Sequence, residues 1–336
     1  MKRAVIGILL CLLGSGAIVY AIMWPRQSTS VLSPITQSAS WRIDRPLDKY
    51  TIDSLSRRGG IPGDIEFDEA VATTAAYTEY LFHFMSEGKK ATGLAHIPKD
   101  ASSQNKKPVI VQFRGYVDQR IYAPGVGTKR SAEVFAEQGF ITLAPDFLGY
   151  GGSDNPSSDV FEERFQTYVV ALDLLASVAT MPMADSSRVG IWAHSNGGQI
   201  ALTVLAITRG TYPTTLWAPV TRAFPYSILY YTDEADDKGK ALRKKLAEFE
   251  QNYDTDLYTV VNFTDRIAAP LQLHQGSGDA AVPVKWSEEF VSELKDSNIT
   301  IGYFLYPGAD HNLQPSWNTV ISRDIGFFTR HLVTEK

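Results

Sequence analysis

The sequence predicts an α/β fold built on a mostly parallel, doubly wound sheet with a helical insertion between two core strands. Three observations carry that expectation. Short, continuously apolar runs rich in β-branched residues recur from residue 108 to residue 308. Segments with apolar residues at helical spacing separate most of them, and glycine or proline bounds most of the runs. Strands that alternate with helices of this length pair in parallel, because each crossover helix returns the chain to the same end of the sheet.

In chain order, "YTEYLFHFM", "SEGKK" and "ATGLAHIP" from Tyr77 read as a β-hairpin around a turn containing Gly88. "PVIVQF" (108–113) and "FITLAPD" (140–146) read as buried strands, with "KRSAEVFAEQ" (129–138) as the helix between them. "FEERFQTYVVALDLLASVAT" (161–180) has helical spacing. There follow strand 188–193, helix 196–208, strand 214–220, strand 271–276, helix 285–297, strand 300–308 and a final helix near 317–333. Residues 221–265 break the rhythm with the charged stretch "DEADDKGKALRKKLAEFEQNYD". That stretch reads either as a solvated surface helix or as a cap inserted over a site.

Composition narrows the function classes. The 336 residues suffice for one large α/β domain or two modest ones, and 44% hydrophobic with 21% charged residues is an ordinary globular balance. A net charge of −5 and the lack of a basic stripe argue against a nucleic-acid partner. Cys11 is the only cysteine, so the body of the chain has neither disulfides nor thiol chemistry. No Cys/His cluster has metal-ligand spacing, so no structural zinc, other metal or cofactor is expected.

The amino terminus divides from the rest. Lys2 and Arg3 precede the uncharged run 4–23, long enough to span a bilayer as a helix. Residues 1–24 therefore read as a membrane anchor or, with Val19-Tyr20-Ala21 as a cleavage site, as a signal peptide. The positive-inside tendency keeps Lys2 and Arg3 cytoplasmic and places the body outside the cytoplasm, membrane-anchored or secreted. Residues 25–60 are polar and rich in Ser and Pro and read as a linker with a short ordered lead-in, and 61–336 read as the main folded domain, the one expected to carry any chemistry.

The chemistry centres on "RVGIWAHSNGGQIAL" (188–202), a strand, a tight turn and a helix start. Ser195 stands at the turn with Ala193 two before it and Gly197 two after it. Small residues at those places suit a nucleophile elbow, where strand and helix pack closely around a sharp turn. A serine hydroxyl needs a base, and the base needs an orienting group. "HQGSGDAAVP" (274–283) places Asp279 in the loop after one strand, and "YPGADHNL" (306–313) places His311 in the loop after the next. The order Ser195, Asp279, His311 is that of α/β-hydrolases. Asp310 adjoins His311 in sequence and is a poorer orienter than Asp279. His194 is read as structural, its side chain directed away, and Asp146 in "APDFLGYGGSD" as having a backbone role. For a developing oxyanion, the Asn196 amide and the Tyr116 amide of "RGY" (114–116) are the expected donors.

These segments resemble the catalytic domain of the prolyl oligopeptidase family, within the α/β-hydrolase superfamily, over roughly residues 75–335. The resemblance implies Ser195 as nucleophile, His311 as general base and acid, and Asp279 as orienter. Ala193 replaces the usual first glycine of the elbow, and Arg114 stands where many hydrolases have His or Gly. Full-length members carry a β-propeller. Here fewer than 60 residues separate the apolar segment from the first hairpin strand, so the catalytic domain is expected without one. The resulting expectation is an exported serine hydrolase acting through an acyl-enzyme, a peptidase in the first reading. A carboxylesterase or deacetylase acting on small acyl esters is the alternative. A catalytically silent surface-binding module is a third reading, and the oligomeric state is left open.

Overall fold

The computed structural model describes residues 44–297 and 299–333. The expected anchor or signal and most of the expected linker lie outside the described residues. Among the described residues, no helix is long and apolar enough to cross a membrane.

The chain enters through a short 3₁₀ turn (Pro46–Tyr50) and helix α1 (Ile52–Arg58). Both pack on the core through Leu47, Tyr50, Ile52 and Leu55. Arg58 grips the buried Asp173 carboxylate with two hydrogen bonds of 2.8 and 2.9 Å. Ser86 and the Ile61 amide donate to the same carboxylate. Residues 46–58 are thus part of the folded body, a larger ordered lead-in than the polar composition suggests.

Strands β1 (Glu66–Thr73), β2 (Tyr77–Ser86) and β3 (Lys89–Pro98) form an antiparallel meander. Next come β4 (Lys107–Phe113), α2 (Lys129–Glu137), β5 (Ile141–Pro145), α3 (Val160–Ser177) and β6 (Ala184–His194). Helix α4 (Asn196–Thr208) leads to β7 (Thr214–Trp217), and α5 (Tyr226–Leu229) and α6 (Lys240–Glu250) lie between β7 and β8 (Leu271–Gly276). Helix α7 (Val284–Asp296), β9 (Ile301–Tyr306) and α8 (Trp317–Phe328) close the sequence of elements.

The nine strands make one sheet, ordered β1-β2-β3-β5-β4-β6-β7-β8-β9. The pairs from β5 through β9 are parallel, and the three amino-terminal strands join antiparallel. The sheet is therefore mixed, of α/β-hydrolase type. Strand β1 has no counterpart in the sequence reading, because its side chains are almost all exposed and its place rests on backbone pairing.

Alternation along the central strands feeds two cores. Val109, Val111 and Phe113 of β4 face α3 and α4, whereas Ile110 faces Phe135 of α2 and Phe328 of α8. Strand β6 repeats the pattern with Ile191 and Ala193 on one side and Trp192 on the other. With both faces covered, the free places for chemistry are the loops at the carboxyl ends of the parallel strands.

Candidate active site

Ser195 sits between β6 and α4 with φ 57° and ψ −121°. A non-glycine residue held there carries strain of order 1–3 kcal/mol. Three backbone hydrogen bonds hold it. The Ser195 amide donates to the Trp217 carbonyl at 2.9 Å, and the Ser195 carbonyl accepts from Gly198 and Val220. The small neighbours have a steric cause. A Cβ on Gly197 would lie 2.0 Å from the Phe113 carbonyl oxygen, and one on Gly198 would lie 2.5 Å from Pro219 Cβ. Ala193 is fully buried.

Asp279 lies in the loop after β8 and His311 in the loop after β9, as their sequence positions suggested. Their side chains meet, with His311 Nδ1 2.9 Å from Asp279 Oδ2. The Asp279 carboxylate is fully enclosed. Its Oδ1 accepts from the Ala281 and Val282 amides, both at 2.8 Å, and its Oδ2 also accepts from Gln275 Nε2 at 3.0 Å. Gln275 is held in turn by Ser287 Oγ. Burial pushes the Asp279 pKa up, but the hydrogen bonds from His311, Val282 and Ala281 outweigh it and leave the pKa below the usual carboxylate value. Among the described residues, no hydrogen bond joins Ser195 Oγ to His311. Such bonds are often long in ligand-free hydrolases and tighten around substrate.

The loop after β4 runs beside the serine. A Cβ on Gly115 would lie 2.9 Å from Ser195 Cβ, so only glycine lets this backbone approach. Tyr116 follows and is 78% exposed. Asn196 opens α4.

Three residues do more than the sequence reading allotted them. Asp146 acts through its side chain, not its backbone alone. Its carboxylate, fully buried, accepts from Thr92 Oγ1 at 2.6 Å and Tyr122 Oη at 2.5 Å. Its carbonyl accepts from Arg114 Nη2 at 2.9 Å, and Arg114 Nη1 holds the Gly115 carbonyl. The guanidinium stacks on Tyr150 and Tyr122, 4.1 and 4.6 Å from the ring centroids. Arg114 thus braces the loop beside the serine, where sequence showed only a departure from His or Gly. His194 is structural but not idle. Its Nε2 lies 3.0 Å from the His311 carbonyl oxygen, so it props the loop that carries His311. Burial, then repulsion from His311, lowers the His194 pKa to about 4, so the ring is neutral near pH 7.

A cavity of about 300 Å³ opens beside Asn196 and Tyr116, with Phe147, Tyr150, Glu163, Ile228 and Leu242 among its walls. Ile228 and Leu242 come from the β7–β8 segment, so the charged stretch singled out in the sequence reaches the site. Burial raises the Glu163 pKa.

Residues 127–334 match the model of the prolyl oligopeptidase family. The chain belongs to the prolyl oligopeptidase family. It is a serine-type peptidase of that family and an α/β-hydrolase. Two curated relatives frame it. It is 25% identical over 157 residues to dipeptidyl peptidase family member 6 of Caenorhabditis elegans, a match covering 44% of this chain and 21% of that protein. It is 23% identical over 252 residues to the uncharacterized peptidase YtmA of Bacillus subtilis (strain 168), covering 73% of this chain and 91% of the relative. The chain thus spans about a fifth of the first relative and most of the second. In fold it is similar to acetyl xylan esterase 1 from Thermoanaerobacterium sp. JW/SL YS485, with a TM-score of 0.61 and 18% identity over 84% of this chain and 94% of that one.

Proposed function

We propose that Ser195, His311 and Asp279 form the catalytic triad of a peptidase that works outside the cytoplasm. The observation that carries this reading is the Asp279–His311 pair at 2.9 Å on two loops at the sheet edge where the strained Ser195 turn stands. Asp279 fixes the imidazole with Nδ1–H donating to the carboxylate, which leaves Nε2 as the basic nitrogen. Ser195 Oγ attacks the scissile carbonyl carbon as its proton passes to Nε2. The Asn196 and Tyr116 amides hold the developing oxyanion. The C–N bond breaks as His311 returns the proton to the leaving amine, and water releases the acyl group by the same steps.

Peptide or aminoacyl amides are the favoured substrates, in keeping with the family. A second reading, hydrolysis of short acyl esters, draws on the modest cavity beside the proposed oxyanion amides. Comparing aminoacyl- and prolyl-nitroanilides with short-chain nitrophenyl esters, beside a Ser195→Ala control, separates the two. Serine-dependent amide cleavage is the expected outcome. Ester cleavage alone replaces the peptidase reading with the esterase one, and no serine-dependent turnover of either removes both. The apolar run 4–23 behind Lys2 and Arg3 supports an extracytoplasmic location, as anchor or removed signal. Digestion of the protein by protease added to intact cells or spheroplasts is expected, and full protection would refute it.

A further inference from the structure

Away from the strand-end loops, the antiparallel side of the sheet holds a polar cluster that the hydrolytic chemistry does not use. Strand register assembles it. Glu79 of β2 pairs with His96 of β3, and His96 pairs with Thr142 of β5. Directly paired residues project to the same face, so these three side chains form a row. Helix α2 brings Lys129 and Glu133 to the same cluster, one helical turn apart.

His96 and Glu79 are buried, and Glu133 is half-buried. Ligand atoms of Glu79, His96 and Glu133 all lie within 4.8 Å of one another. Lys129 Nζ reaches the two Glu79 oxygens at 2.6 and 2.5 Å and lies 3.9 Å from Glu133 Oε1. His96 Nδ1 is 3.2 Å from Thr142 Oγ1. Its Nε2 is buried with no hydrogen-bond partner among the described residues, 3.6 Å from Glu79 Oε2.

Two features of this arrangement stand out. A buried ring nitrogen without a partner is costly and uncommon. The charge is also unbalanced, with two carboxylates facing one ammonium.

We propose that Glu79, His96 and Glu133 form a divalent-cation site of zinc type, with Lys129 as its displaceable occupant. One imidazole and two carboxylates are a borderline donor set, which suits Zn²⁺ better than Mg²⁺ or Ca²⁺. Zinc bonds of about 2.0–2.2 Å place tetrahedral neighbours roughly 3.4 Å apart, close to the His96–Glu79 separation. The Lys129 side chain is 44% exposed, so it can swing into water as the ion enters. A bound ion would satisfy His96 Nε2 and tie α2 to the β2–β3 hairpin. The role is structural and independent of the hydrolytic reading.

The test is calorimetric titration of Zn²⁺ into the chelator-treated full chain, with thermal unfolding alongside. One ion per chain and a raised Tm are expected. Lys129→Met should bind about tenfold more tightly, and His96→Gln and Glu133→Gln each about tenfold more weakly. Glu133 is half-buried and stands on a helix, so its variant keeps the test alive if His96→Gln fails to fold. No binding to either the wild-type chain or Lys129→Met at roughly 100 µM Zn²⁺ (a Kd far weaker than structural sites show) overturns the proposal. So does binding that His96→Gln or Glu133→Gln leaves unchanged, because the ion then sits elsewhere.

Discussion

Two Asp–His pairs of nearly equal length sit in this molecule, and their surroundings separate them. Asp279 and His311 meet at 2.9 Å on loops, and Asp324 and His274 meet at 3.0 Å inside the fold. In the buried pair every polar group is engaged. His274 Nε2 faces Asp324 Oδ1, and Nδ1 faces Tyr306 Oη at 2.8 Å, which itself accepts from Arg323. Trp217 Nε1 and Gln272 Nε2 donate to the two Asp324 oxygens. His311 differs in that its Asp partner takes only Nδ1, and its side chain is 22% exposed. An imidazole with both nitrogens held in a sealed core can only stabilise. One held at a single nitrogen and partly open to solvent can also move a proton. The same two residue types thus give structure in one place and suit catalysis in another.

That contrast can be broken by paired substitutions. Asp279→Asn should lower kcat by about 10⁴-fold per folded molecule in the nitroanilide or ester assay, through loss of imidazole orientation. Asp324→Asn should do the reverse, costing roughly 3–5 kcal/mol in urea unfolding with activity per folded molecule within about threefold of wild type. If Asp324→Asn instead abolishes turnover of the folded fraction, the buried pair is not merely structural.

Gly115→Ala sharpens the comparison from the other side of the serine. The added methyl would displace the loop that carries the Tyr116 amide, and kcat per folded molecule should fall by about 10²-fold. Wild-type turnover would show that this loop is not a donor.

His194 tests how the His311 loop responds to pH. Its folded pKa of about 4 lies below the ordinary 6.5. Above pH 6.5 the ring is neutral folded and unfolded, and it contributes nothing to pH dependence. As pH falls toward 4 the unfolded chain binds a proton that the folded chain resists, so stability is lost, by about 2 kcal/mol at pH 5. Unfolding at pH 7 and pH 5 should show that loss, and His194→Gln should reduce it. An identical loss in the variant would mean His194 is not its source. The smallest effect is expected from Tyr116→Ala, which keeps the amide and removes an exposed phenol. kcat/KM should stay within about twofold, and a larger fall would bring the phenol into the site.

The readable parts of the molecule share a physical cause. Strands β4 to β9 are buried on two faces or one, so burial writes itself into composition as apolar runs. The serine turn was legible because close packing there excludes side chains at Gly197 and Gly198. Strand β1 was not, because backbone pairing places a mostly exposed strand without demanding an apolar pattern. The lead-in was obscured for the opposite reason. Four buried side chains, Leu47, Tyr50, Ile52 and Leu55, are diluted among polar neighbours in a stretch that reads as linker. The expected side-chain direction of His194 and the backbone role given to Asp146 both failed to foresee contacts with distant loops.

By itself, then, the sequence determined the order and type of the core elements, the positions of Ser195, Asp279 and His311 at strand ends, and the small residues around the turn. Local patterns suffice for these, since periodicity and sterics act over a few neighbours. Tertiary structure alone decided that Asp279, rather than Asp310, meets His311, that Arg114 and Asp146 brace the Gly115 loop, and that Ile228 and Leu242 wall the cavity. It also decided that Glu79 and His96 stand side by side. Register and loop packing join residues far apart in the chain, and no short stretch of letters carries that distance.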